Sequence, residues 1–293
     1  MADSRKRLDS NVTGAFFVDA TCINCDACRQ LAPETFSEVG EYSAVVAQPT
    51  SARERHRAYQ ALLACPVGSI GTETSDKAAL REAMASFPLR LCGGVSYCGF
   101  NAEQSFGANS FFVEHPEGNW LVDSPRFLKH LVEAFERRGG VRYIFLTHED
   151  DVADAARYAA HFQAMRIIHR ADAEAMPDAE RLVEGDEPIT LARDFLAVPV
   201  PGHTAGSMAL LYRERVLFTG DHLWWDPKSR TLESPRQLVQ DQGALLRSIA
   251  TLQSHRFEWV LAGHGDRIHL PPEEMQAQLR DLLRRRQPAT ISR

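Results

Sequence analysis

Four thiols and a scattered set of imidazoles and carboxylates carry the chemistry this sequence offers. Cys22, Cys25 and Cys28 stand as C-x2-C-x2-C within ATCINCDACRQLAP, and Cys65 follows far downstream, directly before Pro66 in ALLACPVGSI. A close triple lets one tight loop place three sulfurs on three corners of an iron-sulfur cube, and a remote Cys-Pro supplies the fourth corner. In chains that hold two cubes the triple continues into C-x3-C-P, whose last thiol serves the other cube. Ala32 occupies that place, before Pro33, so the spacing predicts one 4Fe-4S cluster. Zinc also takes four thiolates, but usually from two separated C-x2-C pairs. Cys92 and Cys98 fit no such pattern and read as small core residues.

Further along, four residues with metal-ligand chemistry share one context. His148, His203, Asp221 and His264 each directly follow an apolar run, in YIFLT, FLAVPVPG, VLFTG and EWVLAG respectively. Side chains just past the carboxyl ends of strands in an α/β sheet face a common crevice, so residues distant in sequence converge there. The neighbouring Gly202, Gly206, Gly220, Gly263 and Gly265 permit tight turns at these ends. Three imidazoles and a carboxylate could hold one divalent ion, zinc or iron, or two. Asp150 and Asp154, on the helix expected after His148, would share a face. From there they could reach the metal or act as catalytic base on its water, or merely favour the positive end of the helix. His169 reads as structural. His222 either orients Asp221 or faces solvent, and Trp224 and Trp225 either wall a pocket or fill core.

The elements that must position these groups follow from periodicity. Residues 50–88 read as helical, with Tyr59, Leu62 and Leu63, then Leu80, Met84 and Phe87 at helix spacing before Pro88. Phe111 to Val113 and Trp120 to Val122 read as a hairpin, and Phe127 to Phe135 as a helix stopped by Gly139 and Gly140. Strands are expected at 143–146, 166–168, 195–200, 208–212, 216–218 and 258–261, and helices at 151–162, 244–252 and 272–286. In the last helix, Arg284, Arg285 and Arg286 read as a solvated end that favours the dipole.

The N-terminal motifs CINCDACRQLAPETF and ACPVGSI resemble the single-cluster bacterial-type ferredoxins. LTHEDD, PGHTAGS, TGDH and AGHGD resemble the metallo-β-lactamase superfamily. Together the resemblances imply an α+β / αββα chain, a small ferredoxin-like domain (1–88) followed by a four-layer αβ/βα sandwich of metallo-β-lactamase type (89–293). His148 would match the first His of the family's His-x-His-x-Asp-His signature, His203 the following single His, Asp221 the bridging carboxylate and His264 the last His. The chain departs from the signature: the second His is Asp150, and the later Asp and His fall at Val152 and Ala153. What matches best is His148, His203 and Asp221, a two-His, one-carboxylate set resembling the mononuclear iron site of the persulfide dioxygenases.

The chain has 293 residues, enough for about two domains, and 33 Lys+Arg against 39 Asp+Glu leave a net charge of −6. That balance argues against nucleic acid as a partner. No apolar run is long enough for a membrane span, and the polar start of the chain lacks a signal core, so a cytoplasmic location without membrane attachment is expected. The leading functional expectation is a metal-dependent hydrolase of ester or thioester small-molecule substrates with an attached electron-transfer module. The alternatives are an iron oxidoreductase fed by the cluster, served by a redox partner protein, and a non-catalytic ferredoxin-type electron carrier.

Overall fold

The computed structural model describes residues 2–74 and 76–286. The chain forms two compact units, Met1–Ile144 with Ala153–Ala164, and Phe145–Val152 with Met165–Arg293.

In the first unit the strand Phe16–Val18 pairs antiparallel with Ile70–Thr72, Val18 opposite Ile70. That pairing sets the segment leading to Cys22 beside the one leaving Cys65. The loop between Cys22 and Cys28 turns tightly because Asn24 and Asp26 take left-handed φ of 58° and 64°, a conformation their short polar side chains tolerate. Cys28 lies in the short helix Ala27–Leu31. The helix Ala52–Ala64 begins with a capping box in which Ser51 Oγ and the Glu54 carboxylate satisfy each other's backbone amides. It ends at Cys65, because Pro66 cannot continue it. The expected helical stretch 50–88 is therefore two helices, Ala52–Ala64 and Lys77–Ala85, with the strand Ile70–Thr72 between them. Strand pairing across more than fifty residues overrides local periodicity there.

Strands Leu89–Cys92, Val95–Tyr97, Phe111–Val113 and Trp120–Val122 follow as an antiparallel meander. The last two form the expected hairpin. Tyr158, on the helix Ala155–Phe162, packs on Phe127 and Phe135 at centroid distances of 4.9 and 5.8 Å.

The second unit centres on a six-stranded sheet ordered Ile189–Ala192, Phe195–Pro199, Met208–Tyr212, Val216–Gly220, Trp259–Ala262 and Ile268–His269. Residues of both faces, such as Leu217 and Phe218, are fully buried, which is why these strands read as unbroken apolar runs. One face carries Val198, Leu211, Leu217 and Val260 against Leu245 and Ile249 of the helix Gln242–Leu252 and Leu279 of Pro272–Arg286. Of the arginines ending the last helix, Arg284 is solvated as expected, but Arg285 and Arg286 are not simply so. Arg285 bonds Glu233 and the Leu232 carbonyl, and Arg286 donates to the Ser234 carbonyl at 2.7 Å, fastening the hairpin Trp224–Asp226/Thr231–Glu233 to the helix. Among the described residues no helix is long and apolar enough to cross a membrane.

Candidate metal centre and cysteine cage

Strand direction decides what converges in the second unit. Phe195–Pro199 and Val216–Gly220 both run antiparallel to Met208–Tyr212, and Trp259–Ala262 runs parallel to Val216–Gly220. Three strands therefore point the same way, and His203, Asp221 and His264 leave the sheet at one edge. His148 is brought there by its own neighbours, since the Leu146 amide donates to the Ile167 carbonyl (2.9 Å) and the Met208 amide to the Thr147 carbonyl (2.7 Å). Gly220, at φ +49°, makes the approach possible: a Cβ there would stand 2.5 Å from Thr147 Oγ1.

His148, His203 and Asp221 each offer a ligand atom within 4.8 Å of the others. The Nε2 atoms of His148 and His203 lie 3.9 and 3.8 Å from Asp221 Oδ2. Ligands on a tetrahedral ion with bonds of about 2.1 Å are about 3.4 Å apart, so these separations fit an ion after small adjustment. His148 is 1% exposed and its Nε2 has no hydrogen-bond partner, while its Nδ1 faces Thr147 Oγ1 at 3.0 Å. A buried orphan nitrogen of this kind fits a cation-binding position.

Asp150 Oδ2 sits 3.2 Å from His203 Nε2 and 3.7 Å from His148 Nε2, with its side chain 61% exposed at the mouth. His264 turns Nδ1 to both oxygens of Asp221, at 2.8 and 2.9 Å. Burial opposes ionisation of Asp221, but His264, His148 and His203 outweigh it and hold the carboxyl below its usual range. Burial lowers the His148 pKa. For His203 burial acts the same way, but the Asp150 hydrogen bond and the Asp221 charge prevail and raise it.

The structure does not give Asp154 the place expected for it. The helix begins at Ala155, because Ala153 takes φ +32° and breaks the chain after the 3-10 turn Glu149–Asp151. Asp150 and Asp154 thus share no helical face. Asp154 instead accepts the Phe127 amide at 2.6 Å.

Sequence reasoning missed two carboxylates. Asp172, 1% exposed, accepts Thr204 Oγ1 at 2.6 Å, the Gly206 amide at 2.7 Å and the Glu149 amide at 3.0 Å, tying the His203 loop to the turn after His148. Asp151, also 1% exposed, has Oδ2 3.9 Å from His148 Nδ1. Both sit in polar stretches whose pattern does not single out one buried acid. His169 is structural, accepting the Ala171 amide on Nδ1. His222 does not face solvent: it is 1% exposed, and burial pushes its pKa down to about 3. Trp225 packs against the core of this unit.

In the first unit Cys22, Cys25, Cys28 and Cys65 line one pocket, walled by Val18, Ile23 and Ile70 among others. None is in a disulfide. Burial pushes the Cys28 thiol up to about 12 and that of Cys25 higher still, so bare thiolates are unfavourable there. Four sulfurs around one apolar pocket fit a cluster that takes them as thiolates. Cys98 is fully buried, as expected of a core residue, whereas Cys92 is partly exposed.

Residues 18–72 match the family of the 4Fe-4S single cluster domain of Ferredoxin I, and residues 92–283 match the metallo-β-lactamase superfamily. A hydroxyacylglutathione hydrolase of Xanthomonas campestris pv. campestris (strain B100) is 30% identical over 170 residues, covering 56% of this chain and 66% of that protein. An atrochrysone carboxyl ACP thioesterase of Pseudocercospora fijiensis (strain CIRAD86) is 25% identical over 190 residues, 61% of this chain and 54% of that protein. The chain thus spans less than two thirds of either relative's length. Among solved structures, the mono-zinc form of the metallo-β-lactamase FIM-1 from Pseudomonas aeruginosa superposes with a TM-score of 0.50 at 14% identity, over 68% of this chain and 95% of that one, which shows the shared fold. The superfamily match takes in more than half of the chain and every residue of the converging set, and so the protein belongs to the metallo-β-lactamase superfamily, with a single-cluster 4Fe-4S ferredoxin domain preceding that region.

Proposed function

We propose that this chain is a metal-dependent hydrolase of thioester or ester substrates with an electron-transfer module attached. The observation that carries the reading is the convergence of His148, His203 and Asp221 on one point, with Asp150 at its open side. The names of the two relatives, an acylglutathione hydrolase and a thioesterase, support acyl groups carried on a thiol as the substrate class. A divalent ion held by the three residues would supply a water of lowered pKa and polarise the acyl carbonyl. With an ion bound, His148 and His203 would offer it their Nε2 atoms as neutral imidazoles, and His264, with Nδ1 2.8 and 2.9 Å from the two Asp221 oxygens, would orient that carboxylate. Asp150, exposed and 3.2 Å from the His203 imidazole, is the base that accepts the proton at Oδ2.

The test is metal analysis of anaerobically purified protein alongside turnover of an S-acylglutathione. Alanine at His148, His203 or Asp221 should abolish both metal binding and turnover. His264→Ala should weaken metal binding by about 10–100-fold, as expected for a group acting through a ligand. Asp150→Asn should retain metal and lose about 10²–10⁴ in rate. Fully metallated protein that turns over neither thioesters nor esters overturns the reading.

A second reading is favoured by the three-membered ligand set, which leaves positions open on an iron, together with a 4Fe-4S domain in the same chain. It makes the protein an iron oxidoreductase served by a redox partner. A site that takes up zinc alone eliminates it.

A further inference from the structure

Arg126 belongs to the region matching the metallo-β-lactamase superfamily, yet it reaches the cysteine cage. Its Nη2 donates to the Leu63 carbonyl at 2.9 Å and to the Cys65 carbonyl at 3.4 Å, and its Nε to the Phe100 carbonyl at 3.4 Å. All three acceptors are neutral. Among the described residues no carboxylate forms an ion pair with this half-buried guanidinium, whose pKa burial lowers. A cation removed from water without a counter-charge is strongly unfavourable. A four-thiolate cluster is the negative charge this position lacks.

The backbone that carries the guanidinium is also held in place. Tyr158 Oη donates to the Arg126 carbonyl at 2.9 Å, the Arg126 amide donates to the Phe100 carbonyl at 3.0 Å, and the next amide, of Phe127, is taken by Asp154 at 2.6 Å. The adjoining loop closes on the same cage: the Asn101 amide donates to the Ala64 carbonyl at 3.1 Å, and a Cβ on Gly107 would stand 2.8 Å from Cys25 Sγ. Arg29 is a second cation near the cysteines, on the side of Cys28, where it bonds Asn24 and Ser43.

We propose that Arg126 is the counter-charge of the 4Fe-4S cluster, so that a residue of the metallo-β-lactamase region sets the reduction potential of the ferredoxin domain. Reduction adds one electron to the cluster and no proton, which increases the negative charge facing Arg126. The reduced form therefore gains more from the guanidinium than the oxidised form, and the potential rises. Arginine stays charged at all working pH values, so this contribution is independent of pH.

The test uses the full chain carrying its cluster, with dithionite as reductant in a mediated titration followed by electron paramagnetic resonance, and iron content measured in parallel. Arg126→Met with a full cluster should show a midpoint potential more negative than the parent, and Arg126→Lys one closer to it. An unchanged midpoint in a fully loaded Arg126→Met overturns the proposal. Where Arg126→Met does not load a cluster, Arg126→Lys and Arg126→Gln decide. A loaded Lys variant beside an empty Gln variant, or two loaded variants with Gln the more negative, supports the charge. Equal potentials, two empty variants, or a loaded Gln beside an empty Lys overturn it.

Discussion

Asp172 holds Thr204 by a 2.6 Å hydrogen bond from the threonine hydroxyl, and through it the loop that carries His203. Its carboxylate takes two further amides, of Gly206 and Glu149, so one buried acid anchors both histidine-bearing turns. Asp172→Ala leaves the Gly206 and Glu149 amides without this acceptor and the Thr204 hydroxyl with only Ser207 Oγ, at 2.8 Å. The expected cost is about 3 kcal/mol of stability, with metal affinity reduced about 10–100-fold. Asp172→Asn keeps the shape but weakens a charge-assisted acceptor, and should fall between the two. Urea unfolding and chelator competition read the two effects separately.

Gly220 permits the close packing of the Thr147–His148 segment. A methyl there meets Thr147 Oγ1 at 2.5 Å and His148 Nδ1 at 3.3 Å, on a backbone with φ +49°. Gly93 has the same φ of +49° with nothing within 4 Å, so it isolates the backbone contribution. Gly93→Ala should cost about 1 kcal/mol, whereas Gly220→Ala should cost about 2–3 kcal/mol and lower the metal content as well. Equal losses for both variants, with metal content unchanged, would show that the packing contributes nothing.

Cys98 gives the protein an alkaline weakness that its cluster does not relieve. Burial pushes its thiol from 9.0 to about 12. An unfolded chain thus releases this proton well before the folded one does, and the folded state binds more protons across that interval. Stability from this group is intact below pH 9.0 and is lost as pH rises towards about 12. The slope is about −1.4 kcal/mol per pH unit for one such thiol. Between pH about 9 and 10, below the ordinary range of tyrosine, urea midpoints should fall for the parent. They should fall less steeply for Cys98→Ala, which loses about 1 kcal/mol at neutral pH for the space it vacates.

Several features of this molecule were legible in one dimension because they are local. The C-x2-C-x2-C triple, the Cys-Pro that ends a helix, and the apolar runs before His148, His203, Asp221 and His264 depend on neighbours within a few residues. The strands Phe111–Val113, Trp120–Val122 and Met208–Tyr212 and the helix Pro272–Arg286 appear where periodicity places them. The strand Ile70–Thr72 was not legible, because three residues pair with Phe16–Val18 across a long loop and carry no alternation of their own.

The sequence by itself determined the ligand types, the glycines beside them and the elements that end where they begin. Only the tertiary structure decided which carboxylates matter. A left-handed Ala153 separates Asp150 from Asp154, sending one to the histidines and the other to the Phe127 amide. Pairing over long separations places Asp172 beneath Thr204 and Arg126 on Cys65. Spacing along a chain is fixed by bond geometry and nearest-neighbour sterics. Which distant side chains face one another depends instead on strand direction, register and burial, which are settled only when the whole sheet packs.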